Sequence, residues 1–265
     1  MTQVTSHPAG RWCWMELATT DPDGAKAFYG ELFGWTFFDT PAGPDMVYTF
    51  VRLHGDDVGA LYAQVAEQRE EGVPPHWLPY VATDDVDASA EAAREGGAEV
   101  IGPDEVGEAG KTAWITDPQG ARLALWWAGK HPGATRVGEP GALCWVELRT
   151  TDVDAAADFY GRLCGWGRRD SSADSPGGGQ YVEWVDGDDA FAGMMPIGDD
   201  WGPVPPHWAI YLMVEDADAT AARVTELGGE VTIPPMDIPG VGRFAGVADP
   251  QGAQFLVIRL DEQQG

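Results

Sequence analysis

Cys13-Trp14-Met15-Glu16-Leu17-Ala18-Thr19-Thr20-Asp21 opens a pattern that the chain states twice. It returns as Cys144-Trp145-Val146-Glu147-Leu148-Arg149-Thr150-Thr151-Asp152, at an offset of 144 − 13 = 131. Pro74-Pro75-His76-Trp77 returns as Pro205-Pro206-His207-Trp208, again at 205 − 74 = 131. Asp117-Pro118-Gln119-Gly120-Ala121 returns as Asp249-Pro250-Gln251-Gly252-Ala253, at 249 − 117 = 132. Three motifs in one order and nearly one register make this a duplication. It divides the 265 residues into domains at 1–132 and 133–265, each of ordinary domain size. The two copies also serve as a small alignment of the chain with itself.

Each copy of the opening pattern places a short strand before an aspartate and a helix after it. Asp21 is a good N-cap, and Pro22 suits the first helical position. Ala25, Phe28, Tyr29 and Leu32 follow at helical spacing, and Gly34 ends the run. The remaining patterns predict strands over 12–17, 46–53, 58–64, 77–82, 99–101, 111–116 and 122–127, with a loop over 67–75 and a second helix over 85–95. The second half repeats this, with strands near Cys144, Gln180, Ala190, Ala209, Arg243 and Gln254 and helices starting near Asp152 and Asp216. Segments 128–141 and 171–179 are rich in Gly, Pro and Ser and read as a linker and a mobile loop. Gly59, in Val58-Gly59-Ala60-Leu61, and Gly193, in Ala192-Gly193-Met194-Met195, read as bulge markers near a cavity rather than chemistry.

Composition narrows the function classes. A net charge of −27 argues against nucleic-acid and acidic-membrane partners and fits a solvated surface. The three cysteines form no CxxC, so neither a zinc knuckle nor a redox motif is indicated, and buried free thiols are expected. Residues 1–11 lack the apolar core of a secretory signal, and no run approaches the roughly 18 apolar residues of a membrane span. The expectation is a cytoplasmic protein, monomer or homodimer, whose partner is a small molecule. Twelve tryptophans can serve as core or line an apolar ligand pocket.

The strand ending in T-T-D, the helix motif A-x-x-F-Y-G-x-L-x-G-W over 21–35 and 152–166, and the D-P-Q-G turn resemble the vicinal oxygen chelate superfamily. That group includes glyoxalase I, bleomycin-resistance proteins, fosfomycin-resistance enzymes and extradiol dioxygenases. The paired C-W-x-E-L and P-P-H-W motifs narrow the resemblance to tandem glyoxalase-like proteins of actinobacteria. It implies an α+β fold of four βαβββ modules, forming two tandem glyoxalase-like domains with curled mixed sheets around cavities. Fold alone does not dictate chemistry.

The resemblance also supplies a metal test. Carried over by distance from the shared landmarks, the family's ligand positions fall on Trp14, Leu78 and Ala124 and on Trp145, Ala209 and Leu256. None of these side chains ligates a metal, and Zn²⁺, Fe²⁺ or Mn²⁺ needs three or four N, O or S donors. The expectation is therefore no metal and no cofactor. A divalent site displaced by one pleat, about 6.5 Å along the strand, onto Glu16 and His76 is the disfavoured alternative.

Strand alternation puts i and i+2 on one face. With Trp14 inward, Glu16 is inward, and His76, Leu78 and Tyr80 follow, as do Arg122, Ala124 and Trp126. The matching set is Trp145, Glu147, His207, Ala209, Tyr211, Gln254, Leu256 and Ile258. Glu16, Glu147, His76 and His207 are the candidate catalytic residues; Trp14, Tyr80, Arg122, Trp126, Trp145, Tyr211 and Gln254 are the candidate ligand contacts. The plainer reading is that the glutamates satisfy buried polar partners, the histidines cap strand entrances and the tryptophans pack the core. His7, His54 and His131 fall in loops and carry no weight.

Three functions remain open. The first is a metal-independent binder of an aromatic or apolar metabolite or natural product, serving resistance, sequestration or tailoring. The second is a lyase, isomerase or dioxygenase of the family with Glu/His acid–base chemistry or a shifted metal. The third is a protein-interaction module whose cavities are filled.

Overall fold

The structure, a computed structural model, describes residues 4–43, 46–171, 180–198 and 201–261. In the first half, β1 (Trp12–Thr19) leads into α1 (Pro22–Phe33), then β2 (Thr36–Pro41), β3 (Val47–Leu53) and β4 (Asp56–Ala63). A short α2 (Ala66–Glu70) connects to β5 (His76–Ala82), α3 (Val86–Glu95), β6 (Glu99–Val106), β7 (Gly110–Thr116) and β8 (Arg122–Ala128). The second half begins with β9 (Leu143–Thr150), α4 (Val153–Cys164), β10 (Gly167–Asp170), β11 (Val182–Asp186) and β12 (Asp189–Pro196). It continues with β13 (His207–Met213), α5 (Ala217–Glu226), β14 (Glu230–Ile238), β15 (Gly242–Ala248) and β16 (Gln254–Leu260).

The helix boundaries follow from local chemistry. Asp21 and Asp152 each accept a backbone N–H three residues on, at 3.0 Å. Gly34 and Gly165 close the helices in the left-handed region, at φ 69° and 71°, where a side chain would be strained. Sequence patterning misses β2 and β10 because neither has a buried residue and so neither alternates. The loop expected over 67–75 holds part of α2. Most of the loop expected to be mobile, 172–179, lies outside the described residues.

Each half forms one open, eight-stranded mixed sheet, ordered β2-β3-β4-β1-β5-β8-β7-β6 and β10-β11-β12-β9-β13-β16-β15-β14. Within a half, the two βαβββ modules join through an antiparallel central pair, β1 with β5 and β9 with β13. The α+β class and the tandem arrangement are as the sequence predicts.

One large core fills the space between the two sheets. Met15, Leu17, Tyr29, Trp77 and Leu125 enter it from the first half; Leu148, Tyr160, Trp166, Trp184 and Phe255 enter from the second. Trp12 sits 4.8 Å from Trp208 and 5.4 Å from Trp166, ring to ring. The helices interlock across the halves. Tyr29 on α1 donates to Asp249, and Tyr160 on α4 donates to Asp117. Gln119 Oε1 accepts from Thr150 Oγ1 and the Asp152 amide, each at 2.7 Å. The D-P-Q-G turn therefore clamps the opposite half as well as joining its own strands. Since the shared core takes the back of each sheet, the opposite faces are left to form cavities.

The three cysteines are free, and burial pushes every thiol up, Cys144 and Cys164 to about 12. Among the described residues no helix is long and apolar enough to cross a membrane.

Candidate functional site

The two inner faces begin alike and end differently. In the first half, Trp14 Nε1 donates to the Tyr48 hydroxyl at 3.0 Å, and Tyr48 donates in turn to Glu16 Oε1. Tyr80 donates to Glu16 Oε2 at 2.6 Å. Both carboxyl oxygens are thus satisfied by phenols. Burial pushes the Glu16 carboxyl above the usual range, partly offset by the two tyrosine donors.

This network lies beneath a cover built from the connection between the halves. The Ala134 amide donates to the Cys13 carbonyl at 2.7 Å, and the Trp126 indole donates to the His131 carbonyl at 3.0 Å. The His131 ring stands edge-on to Trp14 at 4.6 Å, with Phe50 at 5.6 Å and Trp126 at 5.8 Å. His7 bonds the Ala134 carbonyl at 2.8 Å and ties the N-terminal segment to the same cover. The linker read from composition is therefore also the filling of the first cavity. His7 and His131, set aside in the sequence as loop residues, both belong to it.

Among the described residues the second sheet carries no such cover. A cavity of about 1210 Å³ opens over it. Trp145, Glu147, His207, Tyr211 and Gln254 all line it, joined by His76, Leu78 and Arg122 from the first half. Trp14, Glu16, Tyr80 and Trp126 do not reach it. Arg122 and Gln254, expected to point inward, are exposed residues at the rim, because each begins its strand.

In the second half, Trp145 Nε1 donates to the Tyr181 hydroxyl at 3.1 Å, and Tyr211 donates to Glu147 Oε2 at 3.0 Å. Arg149 Nε donates to Glu147 Oε1 at 3.1 Å, at the repeat position that holds Ala18 in the first half. The Arg149 and Glu147 side chains are only 11% and 4% exposed. Burial opposes the arginine's charge, but Glu147 and Tyr211 together more than offset this, so its pKa lies above the ordinary value. The guanidinium also stands 5.2 Å from the Trp201 ring.

His207 lies directly across the β9–β13 ladder from Arg149, as His76 lies across from Ala18. The Nδ1 atoms of His76 and His207 sit 2.9 and 2.8 Å from the Pro74 and Pro205 carbonyls. A carbonyl only accepts, so each Nδ1 carries the proton and each Nε2 keeps a lone pair. Burial lowers both imidazole pKa values, and Arg122 or Arg149 lowers them further.

Sequence reasoning missed Tyr48, Tyr181, Arg149 and Trp201. The tyrosines are repeat mates at 181 − 48 = 133, two steps off the register of the strongest motifs. Arg149 was visible as the one change of charge within the duplicated strand pattern. Gly59 and Gly193 occupy different register positions. Gly193 and Ala60 are the residues opposite Glu147 and Glu16, while Gly59 packs against Met15.

Among the described residues the donors on the inner faces do not make up a transition-metal site. The family's ligand positions do sit on the inner faces, but as Trp14, Leu78, Ala124, Trp145, Ala209 and Leu256. Glu16 is closed off by two tyrosines. Among the described residues no three His, Cys, Asp or Glu side chains come together as a metal-binding group.

Paired sheets of βαβββ modules, each with one face on a shared core and one on a cavity, define a class of tandem small-module proteins. A family model described as the Glyoxalase/Bleomycin resistance protein/Dioxygenase superfamily matches residues 11–125 and 142–257. The chain belongs to that superfamily. CFP32 of Mycobacterium tuberculosis, a protein named as a glyoxylase, is 44% identical over 100% of both chains. The anthracycline biosynthesis protein DnrV of Streptomyces peucetius is 37% identical, over 98% of this chain and 96% of its own. The Mn(II)-bound glyoxalase from Novosphingobium aromaticivorans shares the fold at a TM-score of 0.64 and 15% identity, over 97% of this chain and 86% of its own. A catechol 2,3-dioxygenase does so at 0.61 and 16%, over 98% and 96%.

Proposed function

We propose that this chain is a metal-independent binder of one flat, largely apolar small molecule, held in the cavity of the second half. The observation that carries this reading is the asymmetry of the two inner faces. The first is filled by the chain's own 129–137 segment, while the second opens into about 1210 Å³ of space. That is slightly above the usual range for small-molecule sites, roughly 300–1000 Å³. Trp145, Tyr181, Trp201 and Phe244 give the wall aromatic surface, and Arg149 and Glu147 give it a polar floor. Among the described residues no three His, Cys, Asp or Glu side chains come together, which supports a reading without a metal. The name of DnrV adds a ligand class to try first, a polycyclic aromatic polyketide of the anthracycline kind. A reading with both cavities filled describes the first half only.

Calorimetric titration with an anthracycline, before and after dialysis against a chelator, tests this. The expected result is a single site per chain, unchanged by chelation and weakened at least tenfold by Trp145→Ala. Binding that vanishes on chelation, or no binding together with no small molecule retained in native mass spectrometry, overturns it.

A further inference from the structure

The second cavity holds more than a binding site needs. His207, Arg149, Glu147 and Tyr211 form a row along the β9–β13 ladder, facing into the cavity. His207 and Arg149 are direct cross-strand partners, so their Cβ atoms lie about 5 Å apart. The Pro205 carbonyl fixes the His207 ring with Nδ1 protonated. Among the described residues Nε2 has no hydrogen-bond partner. Arg149 commits Nε to Glu147 and also bonds the Tyr211 side chain, and it lines the cavity. In the first half His76 faces Ala18 across the ladder and its neighbouring cation is Arg122 at the rim, while Glu16 is sealed by Tyr48 and Tyr80.

We propose that His207 and Arg149 make the second cavity a proton-transfer site for aromatic ketones, with His207 Nε2 as base and Arg149 as partner of the developing oxyanion. This rests on the reading that the cavity takes a flat aromatic ligand. The C–H bond beside the carbonyl breaks, and its proton passes to Nε2, giving an imidazolium. The electron pair forms a C=C bond, and the carbonyl oxygen becomes an enolate oxygen facing the guanidinium. Return of the proton to the same carbon gives exchange with solvent; return to another carbon gives an isomer. No oxidant, reductant or metal enters the balance. Glu147 and Tyr211 are positioning residues: Glu147 accepts from Arg149 Nε and from the Tyr211 hydroxyl, which fixes the guanidinium on the cavity floor. A histidine needs a neighbouring cation to stabilise the enolate, and a lone cation has no base. His76 and Arg122 of the first half also reach the rim of this cavity, but among the described residues it is His207 that stands directly across a strand ladder from an arginine.

The test uses 2-tetralone, a flat bicyclic ketone, with the intact chain in D₂O. NMR follows loss of the α-proton signal, and quenching of tryptophan fluorescence follows binding separately. The wild-type chain is expected to accelerate exchange at least tenfold over buffer. His207→Gln should reduce the protein-dependent rate by about 10²-fold or to background, with binding changed less than threefold. Arg149→Lys keeps the charge beside Glu147 while losing the planar fork, and should lower the rate with binding largely retained. Arg149→Met is less informative, since it strands a buried carboxylate. Binding without exchange above buffer, or exchange unaltered in His207→Gln, overturns the proton-transfer proposal and leaves the binding site standing. Absence of binding up to the solubility limit overturns both.

Discussion

The hydroxyl of Tyr160, on α4 of the second half, donates to Asp117 Oδ2 in a turn of the first half at 2.8 Å. The same hydroxyl accepts from Trp208 Nε1 at 3.0 Å. Tyr29, Asp249 and Trp77 repeat the arrangement in the opposite direction. The halves are thus joined by two buried polar clamps inside one apolar core, so neither sheet has a covered back by itself. Tyr160→Phe leaves a carboxylate and an indole N–H without this partner. The expected loss is about 1–3 kcal/mol, read as a lower urea midpoint with unchanged slope. Both halves should unfold in one transition. Two resolved transitions in the wild-type chain would mean that the shared core does not couple them.

Glu16 gives a pH prediction with a definite sign. Burial raises its folded-state pKa above the ordinary 4.5, so the folded chain holds the proton more tightly than the unfolded chain. Its contribution to stability is therefore present at low pH and declines as pH rises through the folded pKa. Glu16→Gln cannot titrate. The difference in unfolding free energy, wild type minus variant, should fall as pH rises from about 4.5. Urea melts at several pH values measure it. A difference that rises with pH would mean that the Tyr48 and Tyr80 donors outweigh burial.

His131→Ala removes the ring that stands against Trp14, Phe50 and Trp126 beneath the first-half cover. The hole it leaves should cost on the order of 2 kcal/mol. Because the proposed ligand site lies over the other sheet, native mass spectrometry should still find one bound ligand per chain. A second bound ligand in the wild-type protein would show that the 129–137 segment lifts away easily.

Much of the architecture was legible because the duplicated motifs carry structural duties. Asp21 and Asp152 cap helices, Gly34 and Gly165 stop them, and Asp117 and Asp249 receive tyrosines from the other half. Alternation correctly put Trp14 with Glu16, and Trp145 with Glu147, on inner faces. It could not reveal which face would be open. That depends on where 129–137 packs, and a Gly/Pro-rich segment has no periodicity to read. Comparing the halves emphasised what they share, Trp, Glu, His and Tyr. The open face differs from the filled one where the halves diverge, Arg149 against Ala18 and Gly193 against Ala60.

Gly193 separates the site from the fold. A Cβ added there would fall on the Tyr181 hydroxyl and lie 3.0 Å from Trp145 Nε1. Both are ends of side chains, so the strand itself need not move. Ala60 holds the equivalent place in the first half, where the corresponding tyrosine, Tyr48, accepts from Trp14 and donates to Glu16 with that methyl present. Gly193→Ala should swing Tyr181 off Trp145 and change stability by less than about 1 kcal/mol. Ligand affinity should fall several-fold, because the displaced ring enters the cavity. Gly59→Ala makes the contrasting case: its Cβ would meet the Met15 carbonyl at 2.9 Å on the core side. That contact is with backbone, so this variant should lose stability while the distant cavity still binds. Equal effects of the two glycine variants on affinity would argue against placing the ligand over the second sheet.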